Sequence, residues 1–217
     1  MNDLERLQLL ESRIKEWVPS FEVRFKNESK FMKLLGKVMF FNKGFMTNFI
    51  TTIGTKVYFP NRADYLARPL DSFRTLAHEF VHVYDYVLNP VGFMLGYLFP
   101  QNLALLSLFA ILAFISPYFL LFLSSLLFLA PIPSIPRKNI EMRGYGMSLK
   151  VEQWSNCPVN YIDWCITKFA DNFVNSNYYF MYPFRESVEK ELKSWLTDSC
   201  LQDKNVAYSE VYSILHQ

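Results

Sequence analysis

The sequence predicts an α+β domain, with a small β-sheet and one helix that carries the chemistry, interrupted by an apolar helical hairpin. Three observations lead there. Apolar residues recur at helical spacing near both ends of the chain, short β-rich stretches lie between residues 21 and 59, and residues 86–136 form a run of 51 without a formal charge. Residues 1–85, by contrast, hold 13 Lys/Arg and 10 Asp/Glu, and residues 137–217 hold 9 and 10. A length of 217 residues suits one domain with an insertion. The charge pattern divides it into residues 1–90, 91–136 and 137–217. A net charge of +2 lacks the basic excess of a dedicated nucleic-acid binder, and 51% hydrophobic content excludes a disordered chain. No nucleic-acid partner is expected.

Leu4, Leu7, Leu10, Ile14 and Trp17 define a helix over residues 3–17, with Asn2 or Asp3 as its cap and Pro19 closing it. Phe21, Val23 and Phe25 alternate with Glu22, Arg24 and Lys26, the pattern of a half-buried strand. Residues 29–40 read as helix. Residues 45–53 and 55–59 are β-rich runs on either side of Gly54, a hairpin ended by Pro60. Residues 70–88 form a helix capped by Asp71 or Ser72, with Pro90 just beyond its end. Within the uncharged run, residues 102–116 and 118–130 are two arms flanking Pro117. Further helices are expected at 139–152, 161–174 and 186–197, the last presenting Glu186–Lys193 to solvent. Cys157, Cys165 and Cys200 make no CxxC pair and read as reduced thiols of a cytosol-facing protein. The N-terminus is charged from its third residue and has no apolar secretory region.

The chain has only three histidines, and two of them sit in His78-Glu79-Phe80-Val81-His82. This is H-E-x-x-H inside a segment that periodicity alone makes helical. A separation of four residues turns both imidazoles onto one face, where they can share one tetrahedral Zn²⁺. Glu79 follows the first ligand directly, so its carboxylate can reach a water activated at the ion without binding the ion itself. A catalytic zinc needs a third protein ligand and one open position. Asp85 shares the face but lies nearly a turn past His82, which suits an acceptor from an imidazole N–H. His216 stands near the end of the chain. Glu141, in Glu141-Met142-Arg143-Gly144-Tyr145, is best placed as third ligand, and the small Gly144 and Gly146 would let its helix lie close to the first. The other reading of Glu141 is a solvated first-turn acid favoured by the helix dipole.

With these residues the sequence resembles the zincin metallopeptidases of the gluzincin type. More narrowly it is similar to the integral-membrane HtpX and CaaX-prenyl endopeptidases, where HExxH, an apolar membrane segment and E-x-x-small-x follow in that order. In that family the last motif is usually E-x-x-A-D; here Gly144 stands for Ala and Tyr145 for Asp. The resemblance spans about residues 45–150. It implies a zincin-like fold, one Zn²⁺ on His78, His82 and Glu141, Glu79 as general base, and a polypeptide substrate. It also implies that Lys56-Val57-Tyr58-Phe59 pairs with an extended substrate by strand addition. Zincins often place a Tyr to donate to the oxyanion, and Tyr145, Tyr178, Tyr179 and Tyr182 are the candidates, with core packing as their other reading.

His82 and Glu141 flank the uncharged run, and one zinc cannot have ligands on opposite sides of a bilayer. The run must therefore return to its starting side. Pro117 is the expected turn, and Arg74, Arg137, Lys138 and Arg143 would keep both ends, and the catalytic domain, on the cytoplasmic side. The arms hold 15 and 13 residues, against the ~20 that span a bilayer as α-helix. Either the first arm extends back to about Val91, or residues 91–136 dip into the membrane as a re-entrant element. Gly92 and Gly96 form a G-x-x-x-G that would mark close helix packing. The alternative for the run is a buried hairpin or protein-binding surface of a soluble protein. The alternative for the whole chain is a catalytically inactive zincin scaffold in a membrane-linked or viral assembly. An intact Glu79 argues against the latter, because a structural zinc site needs no base beside it.

Overall fold

The computed structural model describes residues 1–39, 44–175, 180–198 and 205–217. The Asn2 side chain accepts from the Glu5 amide while the Glu5 carboxylate accepts from the Asn2 amide, a capping box that starts α1 (Asp3–Trp17). Leu7, Leu10 and Ile14 bury one face of α1 against α4 (Pro69–Leu88). Between these helices lie β1 (Glu22–Phe25), α2 (Lys30–Val38), β2 (Thr51–Ile53), β3 (Lys56–Phe59) and the short α3 (Arg62–Ala67). The three strands form one sheet in the order β1-β3-β2, with β1 parallel and β2 antiparallel to β3. Gly54, at φ +63°, closes the β2–β3 turn in a conformation other residues disfavour.

Four local readings change. The β-rich run 45–53 is a strand only over Thr51–Ile53. Buried Lys26 donates from Nζ to the carbonyls of Phe45 (2.6 Å) and Phe49 (2.8 Å), and that holds residues 44–48 in turns instead of a ladder. Helix α4 starts at Pro69, whose fixed φ suits the first helical position, so Ser72 lies inside the first turn and donates to the Tyr65 carbonyl. Pro90 likewise opens a new helix, α5 (Pro90–Leu98), capped by Asn89 accepting from the Gly92 amide. Lastly, Lys56–Phe59 is the middle strand, paired on both sides, so it has no free edge to offer a substrate. Among the described residues the strand with an open side near α4 is β2.

Beyond α5 the insert forms two 3₁₀ arms, Gln101–Phe114 and Pro117–Leu129, packed against each other and turning at Ser116. A 3₁₀ helix stacks residues i and i+3. The less exposed positions follow that period: Ala104, Ser107, Ala110 and Ala113 in the first arm, Phe119, Ser125 and Phe128 in the second. Ser125 donates to the Ala104 carbonyl (3.4 Å) where the arms meet. The outward positions are greasy and open, with Leu108, Ile111, Phe114, Leu121 and Leu127 between 68% and 81% exposed. Among the described residues no single helix is long and apolar enough to cross a membrane; α5 and the first arm would do so only as a pair bent by 88°. Both ends of the hairpin lie together, as Gln101 Nε2 donates to the Ala130 carbonyl (3.2 Å). The run therefore ends close to where it begins.

Helix α6 (Ile135–Trp154) follows, then α7 (Val159–Val174), α8 (Arg185–Thr197) and α9 (Val206–Leu215). Contacts with α4, α5, α7, α8 and α9 leave α6 buried around most of its circumference, from Arg137 to Glu152. The main core joins the first and last segments of the chain: Leu7, Leu10, Phe73, Leu76 and Phe80 pack with Met147, Val151, Tyr208 and Val211. The result is a largely helical α+β unit in which α4 and α6 are neighbours.

Candidate metal centre

Apolar residues at 73, 76, 77, 80, 81 and 83 fix the rotation of α4 by burial in the core, and this turns His78 and His82 toward α6. Gly144 decides how near α6 can come. A Cβ there would stand 2.5–2.9 Å from the His78 imidazole, closer than any side chain tolerates. One turn back on α6, Glu141 meets the imidazole pair. The two Nε2 atoms are 3.1 Å apart, and Glu141 Oε2 is 3.7 Å from each. Tetrahedral ligands held ~2.0–2.1 Å from one ion lie about 3.3–3.4 Å apart, so these separations suit a shared metal. His78, His82 and Glu141 are all buried, and they form a triad that could hold a metal ion.

The surroundings aim these ligands. His78 Nδ1 lies 3.2 Å from Ser148 Oγ, which itself donates to the Gly144 carbonyl (3.3 Å). With its own proton directed at the Gly144 carbonyl, the Ser148 oxygen accepts a hydrogen bond from Nδ1–H, a tautomer that leaves the Nε2 lone pair for a metal. Tyr97 donates to Glu141 Oε1 (2.8 Å), on the carboxylate oxygen that does not face the imidazoles. Burial works against charge on His82, but the Glu141 carboxylate, with Glu79 and Asp85 behind it, more than offsets this and raises the imidazole above its ordinary value. Burial likewise opposes ionisation of Glu141, and hydrogen bonding to His78 and His82 overrides it, holding the carboxyl well below the usual range. The Glu141 carboxyl is thereby kept ionised, and a cation entering the triad would displace the proton that this carboxylate favours on His82. His82 Nδ1 is buried with no hydrogen-bond partner among the described residues.

Glu79 sits beside the triad, where Thr52 of β2 donates to its Oε2 (2.7 Å). Two cavities meet at His78, Glu79, Phe49 and Ile50. One, of about 330 Å³, runs toward Arg74, Glu152 and the α7 aromatics Trp164 and Phe169. The other, of about 460 Å³, runs past His82 and Glu141 to Met39, Phe93, Tyr97 and Leu98 at the root of the insert. Lys26 fixes the loop that walls both. Burial lowers its ammonium to about 8, while Glu79 favours the charged form.

The other expected site residues fall elsewhere. Asp85 forms an ion pair with Arg143 (2.7 Å) instead of meeting an imidazole, since the guanidinium comes within reach on the facing helix. The Tyr145 ring stacks edge-on against His78 (centroids 4.9 Å apart) and its hydroxyl accepts from Asn172 (2.9 Å). Tyr182 packs against Phe184 and under the Lys138 ammonium, outside both cavities. Tyr178 and Tyr179 lie outside the described residues. His216 stacks on Tyr212 at the exposed end of α9. Gly146 admits Trp195 of α8, not the α4 helix. The four cations expected at the membrane boundary are engaged inside the fold: Arg74 with Glu152, Lys138 with Glu191, Arg143 with Asp85, and Arg137 with the Tyr97 and Phe99 carbonyls.

Sequence reasoning missed Ser148, Thr52 and Tyr97. Ser148 had a signal, because Glu141, Gly144, Tyr145 and Ser148 recur at spacings of three and four on one helix face. Thr52 and Tyr97 reach the site through tertiary packing, for which one sequence carries no mark. Gly144→Ala should displace His78 and lower zinc affinity at least ~10-fold, the scale on which misdirected ligands weaken sites; chelator competition checks this, and unchanged affinity would show that the α4–α6 contact does not set the geometry. No family model, no curated protein and no solved structure matches the chain, so the side chains themselves are the ground for a functional reading.

Proposed function

We propose that the protein is a membrane-associated zinc metallopeptidase that hydrolyses peptide bonds in a polypeptide substrate. The observation that carries this reading is the convergence of His78, His82 and Glu141 with Glu79 alongside. Among the described residues no fourth His, Cys, Asp or Glu joins the group. Three protein ligands leave one position open, as catalytic zinc sites do and closed structural sites do not. Bound zinc would polarise a carbonyl and lower the pKa of water toward neutrality. Glu79, anchored at one oxygen by Thr52, takes a proton at the other and hands it to the leaving amine. An extended substrate adds to the open side of β2, its backbone paired with the strand. Its residues on either side of the cleaved bond occupy the two cavities.

The insert supports the membrane part of the reading. Exposed Leu, Ile and Phe along both arms form an apolar surface that soluble monomers rarely show. At ~2.0 Å rise per residue the 3₁₀ arms reach ~26–28 Å, close to the depth of a hydrocarbon core at ~30 Å. The domain itself is read as facing the cytoplasm, where thiols such as Cys157 and Cys165 stay reduced.

Two predictions follow from this chemistry. Purified protein should hold one zinc, His82→Ala should hold little, and Glu79→Gln should keep the metal while peptide hydrolysis falls ~10²–10⁴-fold. Equal metal content in wild type and His82→Ala would remove the site; zinc retained without hydrolysis by the wild type would favour the inactive scaffold. Separately, the protein should float with phosphatidylcholine–phosphatidylglycerol vesicles, and Ile111→Asp with Leu121→Asp should release it. Co-flotation of that double variant at wild-type levels would show that the arms are not the lipid contact.

A further inference from the structure

Helix α5 belongs to the apolar insert, yet it touches two members of the triad. Phe93 packs near the His82 ring (centroids 6.1 Å apart), and one turn later the Tyr97 hydroxyl bonds Glu141. The Phe93 and Tyr97 rings stack at 5.9 Å with an interplanar angle of 16°. Arg137, from α6, holds the Tyr97 backbone carbonyl at 2.6 Å and lies over the same ring. Gly96 lies against Pro136 and Ile140 of α6, where even a Cβ would find ordinary contact at 3.4–3.6 Å. Tyr97 is thereby clamped in backbone, ring and hydroxyl, and its one donor is spent on a single carboxylate oxygen.

We infer that Tyr97 is a positioning residue for the third metal ligand, so that the apolar insert is part of the metal-binding unit. The reading rests on the zinc site proposed above. A free carboxylate can rotate and present either oxygen. With Oε1 held by Tyr97, Oε2 stays turned to the two imidazoles. Partners behind a ligand typically change metal affinity 10–100-fold, and this one is supplied by the segment that meets the lipid. Holding the insert in place therefore also holds the ion.

The full chain in detergent micelles provides the test. Zinc affinity is read by chelator competition, and the ligand set by the visible spectrum of the Co²⁺-substituted protein. Tyr97→Phe keeps the ring and removes only the hydroxyl. It should weaken zinc binding about 10–100-fold and alter the cobalt spectrum, whereas Tyr86→Phe, whose ring also meets Phe93, should change neither. In a Glu141→Gln background the Tyr97→Phe effect should vanish; full additivity would overturn the assignment, as would wild-type affinity and spectrum in Tyr97→Phe. Should Tyr97→Phe not fold, an isotope-labelled tyrosine at residue 97 of the wild type decides the matter. Zinc loading should shift its C–O stretch, and an unmoved band overturns the inference. A wild type that binds no zinc overturns the metal reading as well, whereas equal zinc binding by wild type and Tyr97→Phe removes only the role of Tyr97.

Discussion

The approach of α6 to α4 at Gly144 is the constraint on which the site depends. It brings a carboxylate 63 positions downstream of the first histidine to within 3.7 Å of both imidazoles. Packing on the far side keeps it there: Trp195 fills the space at Gly146, and the Tyr208 hydroxyl bonds the Arg143 carbonyl (2.9 Å). A helix enclosed by so many neighbours cannot roll away from α4 without opening the core. The same enclosure explains why Glu141 matters. A buried carboxylate costs several kcal/mol unless its charge is answered, and here the answer is two neutral-capable imidazoles and one phenol. That is a weak structural arrangement, and one that could hold a cation.

The insert poses the opposite problem. Its arms bury little beyond each other and display their largest apolar side chains outward. In water such a surface would be costly, at roughly 25 cal/mol per Å² of apolar area. Burial in lipid, as proposed above, would remove that cost. The repeat of small residues every third position lets the arms lie close without helical i+4 packing, and the tighter winding lengthens each arm relative to an α-helix of the same residue count. The root of the insert is polar by comparison: Arg137 donates to Gln101 and to the Tyr97 and Phe99 carbonyls, and Gln101 donates to the Ala130 carbonyl. Charge is thus confined to the place where the hairpin re-enters the domain.

Much of this was legible in the sequence. The helical periods of α1, α4, α7 and α8 and the alternation of β1 show in the placement of apolar residues, because each element has one buried face. His78, Glu79 and His82 were legible for the same reason, being locked to a helix by spacing alone. Glu141 required a further step, namely that an acid flanked by glycines can approach another helix. Sheet order was not legible: β3 is central only because β1 crosses over through α2 to pair with it in parallel, and nothing in Lys56–Phe59 records that. Residues 45–49 looked β-rich and are not a strand, since a buried ammonium 19 and 23 positions earlier claims the Phe45 and Phe49 carbonyls. The partners of Arg74, Lys138 and Arg143 were not legible either, for a positive charge in sequence does not reveal whether a carboxylate waits inside the fold. The winding of the arms could have been found from Ala104, Ser107, Ala110 and Ala113, whose period is three.

X-ray absorption at the zinc edge of the zinc-loaded protein examines the convergence of these groups most directly. Two imidazoles and one carboxylate oxygen, at ~2.0–2.2 Å, with a single solvent oxygen completing the shell, is the predicted result. A shell with sulfur, with four protein ligands, or with fewer than two imidazoles would contradict it.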